Sequence, residues 1–528
     1  MAKKTYTQNE IQHQQLVDVI SSVRESFFGH YLGFNKLSSK QFKNLEYMHL
    51  ALIECSEVLS YTQFIDLISG ISGNNEKAEL PELFLVPNLM TTEKIEGVCT
   101  LEESTSKSLP ITGKQIDAMR HHRKATYSRL CKKLKIENPK ACVHFYNNPV
   151  VNILTENRVW LTGIESLLTK PIKRGMFFKG GAASLPDITL FTREEKRLSN
   201  FIRIFKETLE NNPQTEAIYA QPYHFSDVGH YLRTEYKRNM RLVDIAPNLK
   251  AVFLDVTALS SHEAGVQDFL QSHTAQIQTH TYRPEGMFGC SDVPEEPTVI
   301  TPVLNAGAFY EFIPIKYFNP VKGSVMSNYQ RLSVAKIEKD KKYVVVLSTI
   351  AGLIGFNTRT VVRIVDIDPL RFEVIGKIGA LDHLGQMLTN EEADKMINKL
   401  NKTIVKPYQF YIRHYMVGEH RNQEKLVWAI ELSRPPKSVS QQVLRGIANS
   451  IHSSLCKENQ LYARTFEKPN LAPPFFVFLP PGTFMEGNNS GAKRVDFSED
   501  SYTIKQLISL AGDRQVKIRA ARVGMNQV

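Results

Sequence analysis

Apolar residues recur along this chain in two rhythms. Over residues 9–70 they fall three or four apart, as in Leu16, Val17, Ile20 and Val23 and again in Leu45, Met48, Leu52 and Cys55. That spacing lines one face of a helix and predicts a helical N-terminal region. Segment 29–35, Gly-His-Tyr-Leu-Gly-Phe-Asn, predicts a turn-rich break within it. Residues 71–90, with Gly, Asn, Glu and Pro, predict a surface connection. Thr112-Gly-Lys-Gln115 fits a capping box, in which hydroxyl and amide satisfy each other's backbone donors. The helix it opens places Ile116, Met119, Arg123, Tyr127, Leu130 and Leu134 on one face. Arg120, His121, His122, Lys124, Arg129, Lys132 and Lys133 fall on the others. They predict a solvated basic surface or, functionally, help with an anion at the nearby loop.

Farther along, runs rich in Val, Ile and Phe predict strands at 251–256, 343–348, 361–367, 372–378, 427–432 and 475–479. Helical patterns intervene at 195–210, 391–401 and 439–457. Strands alternating with helices predict an α/β protein with more than one sheet. Pro, Gly and polar residues cluster between Asp366 and Gly385. A boundary there leaves a large N-terminal domain and a smaller α/β module behind it.

Composition narrows the class. Of 528 residues, 42% are apolar and 23% charged, which is ordinary globular usage and excludes a fibrous or disordered chain. No apolar run approaches the roughly 18 residues of a membrane span, and the N-terminus lacks the apolar core of a secretory signal. The 65 basic and 54 acidic residues leave a net charge of +11, diffuse enough to favour acidic partners without naming one. Basic residues interleaved with aromatics, the mark of a nucleic-acid platform, are missing, so nucleic acid is not expected. The six cysteines include no Cys-x-x-Cys, which argues against a zinc site or disulfide framework and for a reduced, cytoplasmic compartment.

Single motifs carry little. Ser104-Thr-Ser-Lys107 matches Ser-x-x-Lys, but that chemistry needs both groups on one helical turn, and Pro110 disfavours a helix there. The histidines lack metalloprotease spacing, and there is no Walker loop and no Gly-x-Gly-x-x-Gly. The informative signal is an ordered set of segments. Ser104-Thr-Ser-Lys-Ser-Leu-Pro-Ile-Thr112 comes first, then Ala246-Pro-Asn-Leu-Lys250 with Thr281-Tyr-Arg-Pro-Glu-Gly286. Phe309-Tyr-Glu-Phe-Ile-Pro314 follows, and then the stretch from Leu347 to Arg363, Leu-Ser-Thr-Ile-Ala-Gly-Leu-Ile-Gly-Phe-Asn-Thr-Arg-Thr-Val-Val-Arg.

In this order the segments resemble the auxin-responsive (Gretchen Hagen) acyl acid amido synthetases, a branch of the adenylate-forming superfamily. The likeness extends to Gly29–Phe34, to Glu458-Asn-Gln-Leu-Tyr462 and to Pro481-Gly-Thr-Phe484, and so covers most of the chain. It implies the α/β, two-domain adenylate-forming fold: a large domain over 1–376, a smaller lid over 377–528, and ligand at their interface. It further implies a ligase that activates a small carboxylic acid with ATP and Mg2+ as acyl-adenylate and passes the acyl group to an amine such as an amino acid. Carried over residue by residue, the resemblance assigns phosphate or carboxylate contact to Lys107, with Ser104 and Ser106 in the same loop. Glu285 supports magnesium through oxygen, Tyr282 stacks on the base or belongs to a structural turn, and Thr360 lies near the ribose; a site repurposed for a different anionic ligand would take Lys107, Arg359 and Arg363 as its contacts.

The chain departs from the pattern where nucleotide binds. Two glycine positions of the first motif fall on Thr100 and Ser104, and Glu102 and Glu103 sit inside the loop. Pro284 replaces a hydroxyl residue before Glu285. Arg359-Thr360 stands where the family has Gly-Asp, whose carboxylate accepts from both ribose hydroxyls; one threonine hydroxyl cannot replace it. In the hinge, Ala380 replaces Glu, and Gln386-Met387 replaces Glu-Lys. Two expectations therefore stand side by side: an atypical acyl-adenylate-forming ligase, or a catalytically silent scaffold without cofactor that binds a protein partner on the same fold.

Overall fold

The computed structural model describes residues 6–72, 80–101, 104–135, 142–146, 153–154, 159–169, 182–184, 194–236, 240–256, 265–270, 275–293, 296–319, 324–378, 380–381, 388–420, 425–467, 472–484 and 501–521. The chain divides into two compact units: Met1–Lys140 with Val151–Lys179 and Ile277–Ile378, and Ala141–Val150 with Gly180–Gln276 and Gly379–Val528.

In the first unit the expected helices form at Gln8–Arg24, Phe27–Leu32, Leu45–Cys55 and Tyr61–Ser72. Thr7 and Asn44 cap the first and third through side-chain acceptors. Leu16, Ile20, Val23, Met48, Leu52, Phe64 and Ile68 bury their shared faces against Phe309, Leu353 and Phe356. Two expectations change. Gly29 lies inside the helix Phe27–Leu32, whose cap is the Ser26 hydroxyl, and the break is confined to Gly33. Leu83, Phe84, Leu89 and Met90 are buried in the same core while Glu82, Val86, Pro87 and Asn88 stay exposed, so the described end of 71–90 is a surface connection pinned by apolar anchors. The polar count of that segment hid four apolar anchors.

A seven-strand antiparallel run follows in the order Ala308–Pro314, Lys342–Thr349, Phe356–Ile367, Leu370–Lys377, Val299–Pro302, Phe288–Cys290 and Gln276–Tyr282. From Tyr343 to Thr349 every residue is buried, so both faces are covered and the sequence shows a continuous apolar run instead of alternation. Glu311, fully buried on the first of these strands, accepts from Arg331 Nε (2.7 Å) and Nη2 (2.6 Å) and from His49 Nε2 (2.8 Å). Ser104–Thr112 forms a strand antiparallel to Ile95–Leu101, which removes the helical-turn geometry that Ser-x-x-Lys chemistry needs. The capping box of Thr112 and Gln115 forms as expected and starts the helix Gly113–Lys133.

The second unit holds parallel strands in the order Ala251–Asp255, Ala217–Ala220, Cys142–Tyr146 and Ala182–Ser184. It also holds a four-strand sheet ordered Ile412–His420, Lys425–Leu432, Phe475–Leu479 and Val516–Arg519. Alternation builds the layers of this sheet. Leu426, Trp428 and Ile430 pack with helices Asn390–Tyr408 and Gln441–Glu458, while Val427 and Ala429 pack with helix Ser501–Ala511. At one end Asp227 accepts from Tyr411 Oη (2.7 Å) and from Arg413 Nε (2.6 Å), and Arg413 also pairs with Glu431. All four side chains are buried.

Candidate functional site

The hairpin between Gln276–Tyr282 and Phe288–Cys290 turns at Arg283–Met287. Arg283 N–H donates to the Met287 carbonyl (3.0 Å) and Gly286 N–H to the Arg283 carbonyl (3.0 Å). This tight turn buries Glu285, which is 3% exposed. Its Oε1 lies 4.0 Å from Lys377 Nζ. Its Oε2 has no hydrogen-bond partner among the described residues. Lys377 Nζ also donates to the Thr358 carbonyl (2.9 Å), and Lys377 pairs in register with Thr360. Glu285, Lys377 and the strand carrying Thr360 therefore meet. Tyr310 Oη donates to the Gly286 carbonyl (3.4 Å), and burial, with Glu285 adding, pushes the phenol pKa up. Burial pushes the Arg283 guanidinium down to about 10 against the pull of Glu285.

The other expected residues are placed as follows. Thr360 is 2% exposed, and its hydroxyl is turned back to the Thr358 carbonyl (3.4 Å). Tyr282 is buried among Ile116, Met119 and Phe288, with the Arg123 guanidinium 5.3 Å over its ring and its hydroxyl 3.4 Å from His122 Nδ1. Arg363 is exposed and forms a cross-strand ion pair with Glu373, so the structure does not bring it to Glu285. Ser104, Ser106 and Lys107 have their backbone in the strand Ser104–Thr112; their side chains, like Glu102, Glu103, Gln386 and Met387, lie outside the described residues. The expected basic surface of Gly113–Lys133 holds for His121, Lys124, Arg129, Lys132 and Lys133, but not for His122 or for Arg120, which is half-buried and donates to the Leu167 carbonyl. Packed between Tyr282 and Phe288, His122 has its pKa lowered to about 4 by burial.

Arg359 also differs from its expected role as an anion contact. It sits at φ +57° in a strand bulge opposite Val344–Val346, the left-handed region where glycine is favoured. Its Nε and Nη2 both donate to the Ile378 carbonyl (3.1 and 3.0 Å). The backbone thus keeps a glycine-type conformation, and the arginine offsets its strain with this clamp. Replacing Arg359 with alanine keeps the strain and loses the clamp; glycine loses only the clamp. R359A should therefore be less stable than R359G by about 1 kcal/mol, measured by thermal melting.

Two residues of this site, Lys377 and Tyr310, are not among the candidates the sequence offers. Tyr310 lies within a segment that carries the resemblance. Lys377 comes from strand register, which sequence does not show. The residues present fit a magnesium ion in one respect: Glu285 offers a buried carboxylate oxygen without a partner. Mg2+ commonly takes one or two carboxylates and completes its shell with phosphate and water. No group of three or more His, Cys, Asp or Glu side chains suited to a metal occurs among the described residues.

Comparison with known proteins places this geometry. Residues 301–377 match the model of the GH3 family central domain. A solved GH3.15 acyl acid amido synthetase superposes with a TM-score of 0.68 at 14% identity, covering 97% of this chain and 95% of that one. An AtGH3.15 acyl acid amido synthetase in complex with 2,4-DB gives 0.66 at 14% identity, with 99% of each chain covered. A 2-hydroxyisobutyryl-CoA ligase in its postadenylation state, in complex with R3-HIB-AMP, gives 0.55 at 11% identity, covering 94% of this chain and 91% of the other. No curated protein sequence matches the chain. The strands that carry Tyr310, Thr349, Thr360 and Lys377 thus match the GH3 family central domain, in a chain whose fold is that of the solved acyl acid amido synthetases.

Proposed function

We propose that the protein is an atypical adenylate-forming ligase that joins a small carboxylic acid to an amine, such as an amino acid, at the expense of ATP. The observation that carries this reading is the buried Glu285 oxygen without a partner, held beside Lys377 and the Thr360 strand. A carboxylate is a poor electrophile, and ATP supplies the leaving group that makes it one. The protein's part is to hold the two anionic reactants in line and neutralise charge. In this reading Glu285 holds Mg2+, which screens the phosphates, and Lys107, with Ser104 and Ser106, contacts phosphate or carboxylate. Thr360 lies near the ribose, Tyr282 borders the base and Arg363 stays peripheral. Residues 377–528 serve as a lid to a large domain over 1–376, and the protein works in the cytoplasm. No helix among the described residues is long and apolar enough to cross a membrane.

A second reading, a silent scaffold for a protein partner, draws on the same place. The Thr360 hydroxyl is engaged by Thr358, the Arg359 guanidinium by Ile378, and Lys377 stands 4.0 Å from the carboxylate that would receive a metal. Calorimetry with Mg-ATP separates the two. Binding on the order of micromolar supports the ligase, and no heat at millimolar ATP removes it. In the ligase, T360D restores a charged acceptor for the ribose and should tighten ATP by about tenfold to a hundredfold; unchanged affinity in that titration counts against the placement of Thr360.

A further inference from the structure

We propose that Gln115 and Thr349 form a buried donor pair that receives one oxygen of an anionic ligand group, carboxylate or phosphoryl, beside Glu285. This rests on the reading that the first unit binds an anionic ligand at Glu285.

Gln115 is fully buried at the third position of the helix Gly113–Lys133. Its Oε1 accepts from Thr112 N (3.1 Å) and Thr112 Oγ1 (3.2 Å). A backbone N–H can only donate, so the cap fixes which end of the amide is oxygen and leaves Nε2 pointing away from it. That Nε2 has no hydrogen-bond partner among the described residues. Thr349, at the end of the strand Lys342–Thr349, is also fully buried, and its Oγ1 is likewise without a partner there.

Gly286 lies against both side chains, and Gly307 against the stem of Gln115. A Cβ on Gly286 would stand 3.4 Å from Gln115 Nε2 and 3.1 Å from Thr349 Cγ2, and a Cβ on Gly307 would stand 3.2 Å from Gln115 Cγ. Both residues have positive φ, +95° and +76°, and Gly286 directly follows Glu285. A side chain at Gly286 would crowd the Gln115 amide, and one at Gly307 would crowd its Cγ. An amide N–H2 and a hydroxyl that both lack acceptors call for an electron-rich oxygen, because buried donors are nearly always satisfied. Glu285 Oε2, an acceptor without a donor, calls for the opposite charge. An anion with its counter-cation answers both demands, as a metal-bound phosphoryl group does; a carboxylate answers the first.

The test uses the full-length protein and two probes, Mg-pyrophosphate and benzoate, titrated by calorimetry. Gln115→Glu keeps an acceptor for Thr112 at the capping position and replaces the donor with a carboxylate. Thr349→Val keeps the shape and removes the hydroxyl. We expect Q115E to weaken the probe that uses the pair by about a hundredfold and T349V by about tenfold. T349V should also melt at or above the wild-type temperature, since it removes a hydroxyl without a partner, and so reports even if Q115E fails to fold. Weakening of pyrophosphate alone assigns the phosphoryl oxygen, and weakening of benzoate alone assigns the carboxylate. If the wild type binds a probe and T349V binds both equally well, the donors serve an ordered water only; the inference falls and the ligase reading stands. A wild type that binds neither probe but gives heat with Mg-ATP overturns the inference alone; one that gives no heat with Mg-ATP either overturns both.

Discussion

Replacing Arg413 with methionine should cost the second unit about 3–5 kcal/mol and lower its melting temperature by about 10 °C or more. The reason is the company Arg413 keeps. Asp227 and Glu431 are both buried, and this one guanidinium pairs with both. Burial alone would push the Asp227 carboxyl up, but Arg413 and the Tyr411 hydroxyl outweigh it and hold the group below the usual carboxylate range. Methionine fills the volume of the arginine stem but leaves two carboxylates facing each other without a cation. The partners that remain are Tyr411 for Asp227, and for Glu431 the backbone N–H groups of Gly482 (2.9 Å) and Phe484 (2.7 Å). Adding D227N and E431Q to R413M removes both charges while keeping acceptors for those donors, so the triple variant should regain most of the loss. If R413M alone melts within 2–3 °C of wild type, a margin of about 1 kcal/mol, the network is not closed as described.

The same network shows what the sequence could and could not disclose. Glu431 lies in a strand that alternation and apolar runs made visible, and Gly482-Thr-Phe484 lies in a segment that carried the family resemblance. Neither signal states that the backbone of the second is held by the carboxylate of the first, 51 and 53 residues away. Asp227 and Arg413 are 186 residues apart, beyond any local period. The strands at 343–348, 361–367 and 475–479 were legible because each is a dense apolar run, and the capping box because its partners are three residues apart. Register was not legible, and so neither was the approach of Lys377 to Glu285. The glycine-type backbone at Arg359 was hidden as well, because a side chain does not announce its own φ. Tyr282 has the composition of a stacking residue, yet its neighbours are Arg123, His122 and Phe288. Glu311 and Gly482-Thr-Phe484, which fit the resemblance, are parts of buried polar networks; Arg359 and Thr360, which depart from it, hydrogen-bond the backbone carbonyls of Ile378 and Thr358.

Glu311→Gln tests the other buried network, and its pH dependence makes the result specific. Burial raises the Glu311 carboxyl, but Arg331 and His49 outweigh it and bring the pKa down to about 2, against an ordinary value of 4.5. A carboxylate with a depressed folded-state pKa binds its proton more readily in the unfolded chain. Its stabilisation is therefore complete above about pH 4.5 and is lost progressively as the pH falls toward 2, amounting to about 3 kcal/mol. Glutamine keeps an acceptor for Arg331 but leaves that guanidinium, 1% exposed at its side chain, without an opposing charge. At pH 7 we expect E311Q to be less stable by about 3–5 kcal/mol in the melting of the first unit. The gap between variant and wild type should narrow below about pH 4.5, because the wild type then protonates what the variant has already neutralised. A gap that stays level down to pH 3 would mean that the group is lost as a shape and not as a charge. It would remove the ion pair from the account of why the strand Ala308–Pro314 stands where it does.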